Sequence, residues 1–591
     1  MATLRELLNG HNMNTLKALL AYVPGASPVG RKDVLVDAIV HGMSGAGLPR
    51  MWEQLDACQR LAVGEAAHDA RGVFHRWRFE AKYGQEPAFH YPAPGQFASE
   101  GKMTVLCLFL YWVDGVWMLP SDLRAQLRQF VAVPAPNALG TVEAPPALDV
   151  DDEPLTLRTT ERDALQDLAV MLRMVDQGQI AVSDKTRLPG AAALRLVGDK
   201  LAGGDFYAIV PPKDKWEQVI GPIKALAWPL LLQGAGLAQL NGSKLALSPA
   251  GVKAMSAAPA DTLRAIWREW RNTSLLDEFS RIDEIKGQKG KGRVMSAPAP
   301  RRAVIGALLQ RCPPGKWIAI DELSRFMQAE GCWFDVCHDY SRLYISDPNY
   351  GHLGYSGTAG WEMLQLRYLL CLLFEYCATL GMIDVAYRTP EGARDDYCGH
   401  WGADDLVFLS RYDGLVYFRL TALGAYCLGV SNSYTPAAPA STCRLQVGGN
   451  LQVSVAEGTL SADEALLLDD WALQESELVW RLNREKAVAA IERGHDSAQL
   501  AAFLQARDSQ PLPVQVDSFL RTCQKQGRAL KVLAASLLIE CIDAQTADLI
   551  AGHKETAGLC LRAGERHLVV QQEHEARFRK AARQVGYGMP A

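Results

Sequence analysis

Several stretches of this sequence hold residue types whose spacing could do chemistry, and phosphate transfer is the first to consider. A phosphate-cradling loop needs G-x-x-x-x-G-K-[ST] between a strand and a helix. Its amides then hold the phosphates, the lysine reaches the outer oxygens and the hydroxyl binds magnesium. In KGQKGKGR (286–293) no hydroxyl follows a lysine. In GQFASEGKMT five residues separate Gly95 from Gly101, and Met103 stands where the hydroxyl belongs. WIAIDEL has the form of a strand ending in acids, Asp321 and Glu322, but it follows PPGK too closely for a helix to intervene. Asp321 is expected to cap the helix ELSRFMQAEG instead. No segment unites the parts of an ATP site, so neither ATP hydrolysis nor any cofactor is expected.

Metal and nucleophile patterns are equally incomplete. Cys332, Cys337 and His338 in CWFDVCH, with Cys398 and His400 in DYCGH, do not form the paired C-x₂₋₄-C knuckles of structural zinc. Core packing suits the cysteines of CWFDVCH better, given their aromatic neighbours Trp333, Phe334 and Tyr340. No G-x-S-x-G elbow occurs. The acidic pairs Asp395–Asp396 and Asp404–Asp405 lie in a turn-rich stretch where a metal-dependent nuclease would have to hide.

Basic residues offer binding chemistry instead. Lys286, Lys289, Lys291, Arg293, Arg301 and Arg302 make six positive charges with no acid among them. The interleaved glycines predict a mobile loop whose cations touch nucleic-acid phosphates without reading bases. A plain solvated linker is the competing reading. Arg31 and Lys32 open a helix, and Lys244 follows a tight turn; both places could meet duplex DNA.

The elements that must position these residues follow from size and pattern. A chain of 591 residues exceeds one ordinary core and predicts three to four domains. Hydrophobic residues at 49% and charged residues at 21% suit a soluble globular protein. No apolar run reaches the roughly 18–20 residues that span a bilayer. The start of the chain has no signal-peptide pattern. Thirteen cysteines scattered in apolar segments fit reduced thiols in a cytoplasm. A net charge of −5 excludes a chain that coats nucleic acid along its length, though not a local basic face.

Two proline-rich stretches, 134–154 and 431–442, read as linkers. They divide the chain into an N-terminal helical region (1–133), two middle regions (155–300 and 301–430) and a C-terminal domain (443–591). The N-terminal region opens with MNTLKALLAYV and GRKDVLVDAIVHGM, two helices by their i, i+3, i+4 spacing. The middle repeats one plan. A helix is followed by a hairpin, turning at Asn241–Gly242 in one copy and at Asp413–Gly414 in the other. Each copy ends in a Ser or Thr cap and a glycine, Ser248-x-x-Gly251 and Thr421-x-x-Gly424. A looser version surrounds Asp114–Gly115. These are helix–hairpin units of winged-helix type. The fold class is therefore α+β and multidomain, an array of winged-helix-like units followed by a small mixed α/β domain.

Two resemblances add expectations. The first two helices are similar to a SAP-type DNA-binding helix–loop–helix. From Cys443 onward, WRLNREKAVAAIERGH, LAAFLQARDSQPLPVQVDSFL, LLIECIDAQTADLIAG, LCLRAGERHLVV and FRKAARQVGY resemble the XPB-helicase N-terminal-like domain. That domain is similar to the clutch of the TFIIH subunit that holds the helicase. The resemblance implies an add-on module, brings no catalytic residue, and lacks both motor lobes. It implies a non-catalytic DNA-binding adaptor that docks a helicase or nuclease through 443–591, in DNA repair or anti-phage defence. A winged-helix transcription regulator and an enzyme with an unrecognised nuclease site are the alternatives.

Overall fold

In a computed structural model the protein is mixed α+β with several small sheets. The structure describes all residues except 1, 90–102, 209–217, 290–293, 356–359, 437–442, 531, 533 and 590–591. The chain separates into two compact units: 1–440 with 460–466, and 441–459 with 467–591.

The larger unit repeats one chain path three times: helix, strand, helix, helix, strand, strand, with the first strand paired to the last. This is the winged-helix order. In the first copy Ala57–His68, Val73–Phe74, Arg76–Tyr83 and Val105–Leu108 lead to a hairpin of Tyr111–Val113 and Val116–Met118. The hairpin turns through Asp114 and Gly115, both at positive φ (46° and 83°), as a two-residue loop on twisted strands requires.

In the second copy the helices are Glu161–Asp176, Ala191–Gly198 and Lys224–Gly234, and the hairpin is Ala238–Asn241 with Lys244–Leu247. Its first strand is reduced to a bridge between Ala181 and Lys244. The third copy uses Pro298–Leu309, Trp317–Ala319, Ile320–Glu330, a continuous helix over 361–377, Ile383–Tyr387 and Leu415–Leu420. Thr156–Arg158 adds an edge strand to its sheet.

The repeated Ser/Thr-x-x-Gly endings have one bonding pattern. The Ser248 hydroxyl accepts from the Gly251 amide at 3.1 Å and donates to the Gly236 carbonyl at 2.6 Å. The Thr421 hydroxyl accepts from the Gly424 amide at 2.8 Å and donates to the Gly381 carbonyl at 2.8 Å. Both glycines are needed for close approach. A Cβ at Gly251 would stand 2.1 Å from the Leu237 carbonyl oxygen, and one at Gly424 would stand 2.0 Å from that of Met382.

Three expectations need correction. The segment 134–154 is no free linker. Val142 pairs with Trp317 on the sheet edge, and Asp149 and Asp151 ion-pair with the buried Arg388 at 2.8 and 2.9 Å. The second and third copies are not separate domains, because one apolar core runs from Ala164 through Ile305 to Leu428. The strand before Leu415–Leu420 is Ile383–Tyr387, not the residues next to Asp413. Asp413 is buried instead, and it receives Arg367 at 3.0 Å.

The smaller unit carries a sheet ordered Arg444–Val447, Gln452–Glu457, Val479–Leu482, Ala472–Ser476, with helices Arg484–Glu492, Ser497–Arg507 and Val514–Gly527. Asn483 caps the first of these helices, directly after the strand Val479–Leu482. A second sheet, Ser536–Glu540, His567–Gln571 and Leu561–Ala563, packs Leu568 and Val570 against Ala547 and Phe578 of helices Ala544–Gly552 and Glu575–Gln584.

Candidate functional site: buried reading helices and an acidic cleft

A winged helix reads DNA with its third helix, which must lie open to enter the major groove. Here that helix is interior in every copy. Leu106–Leu108 are buried in the first, and Lys224 through Leu232 are buried in the second. In the third, every residue of 361–377 is buried except Glu362. The sequence carries the cause. LAWPLLL is apolar around the whole helix, and MLQLRYLLCLLFEYC is apolar except for Gln365, Arg367 and Glu375, of which Arg367 and Glu375 are ion-paired inside, so both become core elements. The third helices of this array are spent on packing.

The predicted phosphate contacts divide in the same way. Arg301 and Arg302 are 1% and 0% exposed, so neither can touch a phosphate. Arg301 grips Asp277 through two nitrogens at 2.6 and 3.0 Å. Arg302 meets Glu278 at 2.6 Å and donates to the Trp270, Thr273 and Leu276 carbonyls at 2.6–2.7 Å. Burial by itself pulls the Arg302 pKa down, and the Glu278 carboxylate more than restores it. Their placement has a helical reason. On Pro298–Leu309 they share a face with Ile305, Leu308 and Leu309, so helical spacing carries them inward.

Lys286 is exposed but lies in the short strand Ile285–Lys286, paired with Tyr344–Ile345, so the basic run is anchored at its start. Lys289 is exposed, whereas Lys291 and Arg293 lie outside the described residues. Lys244 is exposed at the second wing. Arg31 and Lys32 are exposed at a helix start, where the Lys32 ammonium donates to the Asn9 carbonyl at 2.6 Å. The exposed cations among the described residues thus belong to three separate elements: a helix start, a wing and a short strand with its following turn.

Of the candidate chemical groups, Gly95–Lys102 lie outside the described residues. Asp321 does not cap its helix. Ala319 holds that position, and Asp321 ion-pairs with Arg394 at 2.8 Å. Within either compact unit, no three His, Cys, Asp or Glu ligand atoms among the described residues lie within 4.8 Å of one another. Cys337 is buried, and burial pushes its thiol up to about 11. The His400 ring meets the Gly351 carbonyl at 3.0 Å.

One concave feature was not read from the sequence. It is a cleft of about 1700 Å³ between the first and third winged-helix copies, walled by 146–153, 391–396 and the start of the central helix. Ten carboxylates and three arginines line it. Asp149, Asp151, Asp321, Asp396 and Asp413 hold guanidinium groups. Glu80, Glu153, Glu362, Glu391 and Asp395 have no ion pair among the described residues. All three arginines are already taken: Arg325 by Glu322 at 2.6 Å, Arg388 by Asp149 and Asp151, and Arg394 by Asp321. Burial pushes the Glu362 carboxyl up, and Asp396 adds to the shift.

One wall is a ladder of indoles. Trp77 lies 5.7 Å from Trp333, and Trp333 lies 5.3 Å from Trp361, centroid to centroid. Trp361 is fixed by its Nε1–H donating to Ser324 Oγ at 2.7 Å, whereas Trp333 is 44% exposed. The three rings come from three distant segments, so no local spacing announces them.

No protein-family model matches this chain, and no curated protein matches it.

Proposed function

We propose that this protein is a non-catalytic adaptor that docks a helicase or nuclease partner. It meets DNA only through backbone contacts from scattered lysines, and DNA repair or anti-phage defence is the setting it suits. The observation that carries this reading is the burial of all three third helices, which leaves winged-helix units shaped for protein contact. The same burial weighs against the transcription-regulator alternative, because none of the three third helices lies open to base edges. The C-terminal unit, by its resemblance to the clutch, is the docking module. Among the described residues no helix is long and apolar enough to cross a membrane.

The test is co-purification of the tagged full chain from its host. A motor or nuclease retained by the full chain and lost when 467–591 are deleted is the expected result. Retention of every partner after that deletion would refute the docking assignment.

DNA contact has its own measurement. Replacing Lys286, Lys289 and Lys291 by alanine is expected to weaken duplex binding alike across sequences. It should also flatten the log–log salt dependence by about one to three units, since each neutralised phosphate contributes roughly 0.9. An unchanged slope in the folded triple variant would reduce the run to a linker.

A further inference from the structure

We propose that the indole-walled cleft is the docking groove for an extended, arginine-bearing peptide segment of a protein partner. This deepens the adaptor reading and rests on it. Three properties select the occupant. The cleft, at about 1700 Å³, exceeds the roughly 300–1,000 Å³ of small-molecule sites, so it fits a chain segment. Its charge is one-sided, ten carboxylates against three arginines already paired within the protein. Phosphates are repelled from such a surface, whereas cations are drawn to it. The Trp77–Trp333–Trp361 ladder then chooses among cations. Indole faces attract a guanidinium by its charge and stack on its plane. The half-exposed Trp333 offers the accessible face.

The carboxylates that remain free are placed for this work. Glu153, Glu391 and Asp395 are exposed on the cleft walls and hold no cation among the described residues. Glu362 lies deeper, at the base of the central helix, without an ion pair of its own. A bound guanidinium would take the fork geometry that carboxylates accept from arginine elsewhere in this protein, as at Arg301–Asp277. Lysine offers the charge without the fork or the stacking plane, so arginine-bearing segments are favoured over lysine-bearing ones.

The full chain should be titrated with fluorescein-labelled nonapeptides of alternating arginine and glycine, lysine and glycine, and glutamate and glycine. Binding measured by anisotropy should rank arginine over lysine by at least threefold, with no binding of the glutamate peptide. Two variants then probe the walls. The triple variant Glu153→Lys/Glu391→Lys/Asp395→Lys breaks no internal ion pair, and Trp333→Ala removes an exposed ring. Each should weaken the arginine peptide at least tenfold while circular dichroism stays unchanged.

Absence of arginine-peptide binding, equal binding by wild type and both variants, or tighter binding of the lysine peptide would overturn the proposal. The same variants, carried into the host co-purification, separate the two readings. A partner captured in smaller amount by the triple variant than by the wild type supports the cleft assignment, and equal capture leaves the adaptor reading intact with the peptide titration deciding the cleft. Absence of any partner on the wild-type chain sinks the adaptor reading, while the peptide titration still judges the cleft.

Discussion

Replacing Arg302 with alanine is expected to cost the larger unit about 3–5 kcal/mol of stability, because it leaves a buried carboxylate without its counter-charge. Both members of the Arg302–Glu278 pair are 0% exposed. Glu278 also accepts from the Trp270 indole at 3.1 Å and the Tyr368 hydroxyl at 2.8 Å, so it is fixed in place and cannot turn to water. The guanidinium in turn satisfies three backbone carbonyls that alanine would strand. Arg302→Lys should recover only part of the loss, since an ammonium cannot fork toward that many acceptors. The double change Arg302→Met/Glu278→Gln should be milder than Arg302→Ala, because it removes both charges together. Urea unfolding followed by tryptophan fluorescence reads the difference, with Trp270 stacked 4.7 Å from the guanidinium as reporter. A loss below about 1 kcal/mol would show the pair to be replaceable by solvent, in conflict with its burial. At temperatures where the variant is folded, its DNA salt slope should match the wild type, unlike that of the lysine triple variant.

That contrast shows where the sequence is legible and where it is not. The hairpins at Asp114–Gly115 and Asn241–Gly242 were readable because two-residue loops demand particular residues, and local steric rules settle them. The pairing of Arg301 with Asp277 and Arg302 with Glu278 spans 24 residues, and no propensity encodes it. One signal was available for their burial, the helical spacing that aligns them with Ile305, Leu308 and Leu309. The six cations spread over 286–302 with no acid among them mask it, although charge sequence and charge placement are different quantities. The wing at Asp413–Gly414 failed for a related reason. The turn chemistry is real, but Arg367 claims Asp413 for the core, and the Gly414 carbonyl closes the 388–414 loop by accepting from the Arg388 amide at 3.0 Å. The cleft was invisible because Trp77, Trp333 and Trp361 meet only through tertiary packing of the helices Arg76–Tyr83 and Ile320–Glu330. The acidic, proline-rich 134–154 reads as a spacer because it has no basic residue and no helical period. Its function in the fold is electrostatic, to hold Arg388 through Asp149 and Asp151.

The internal repeat yields the second large effect. Gly424→Ala is expected to destabilise the third winged-helix copy by about 3 kcal/mol, the upper part of the usual overpacking range. The added Cβ would sit 2.0 Å from the Met382 carbonyl oxygen and 2.8 Å from Leu420 Cδ1. Backbone cannot swing away like a side-chain end, so helix Ala422–Leu428 must lift from strand Ile383–Tyr387. That movement strains the Thr421 cap and the Thr421 amide's bond to the same Met382 carbonyl at 3.1 Å. Gly251→Ala should behave alike in the second copy, where the contact is the Leu237 carbonyl at 2.1 Å and the Ser248 amide binds it at 2.9 Å. Gly360→Ala is the control. Its φ of −61° suits any residue and nothing among the described residues lies within 4 Å of its Cβ, so a gain of about 0.4–1 kcal/mol is expected from the stiffer unfolded chain. Thermal unfolding midpoints of the three variants should therefore split, with Gly424→Ala and Gly251→Ala falling and Gly360→Ala level or higher. If Gly424→Ala and Gly251→Ala both match the wild type, the helices do not rest on those carbonyls. The shared Ser/Thr-x-x-Gly pattern would then reflect capping alone, because the hydroxyl bonds survive a substitution three residues away whereas the backbone approach does not.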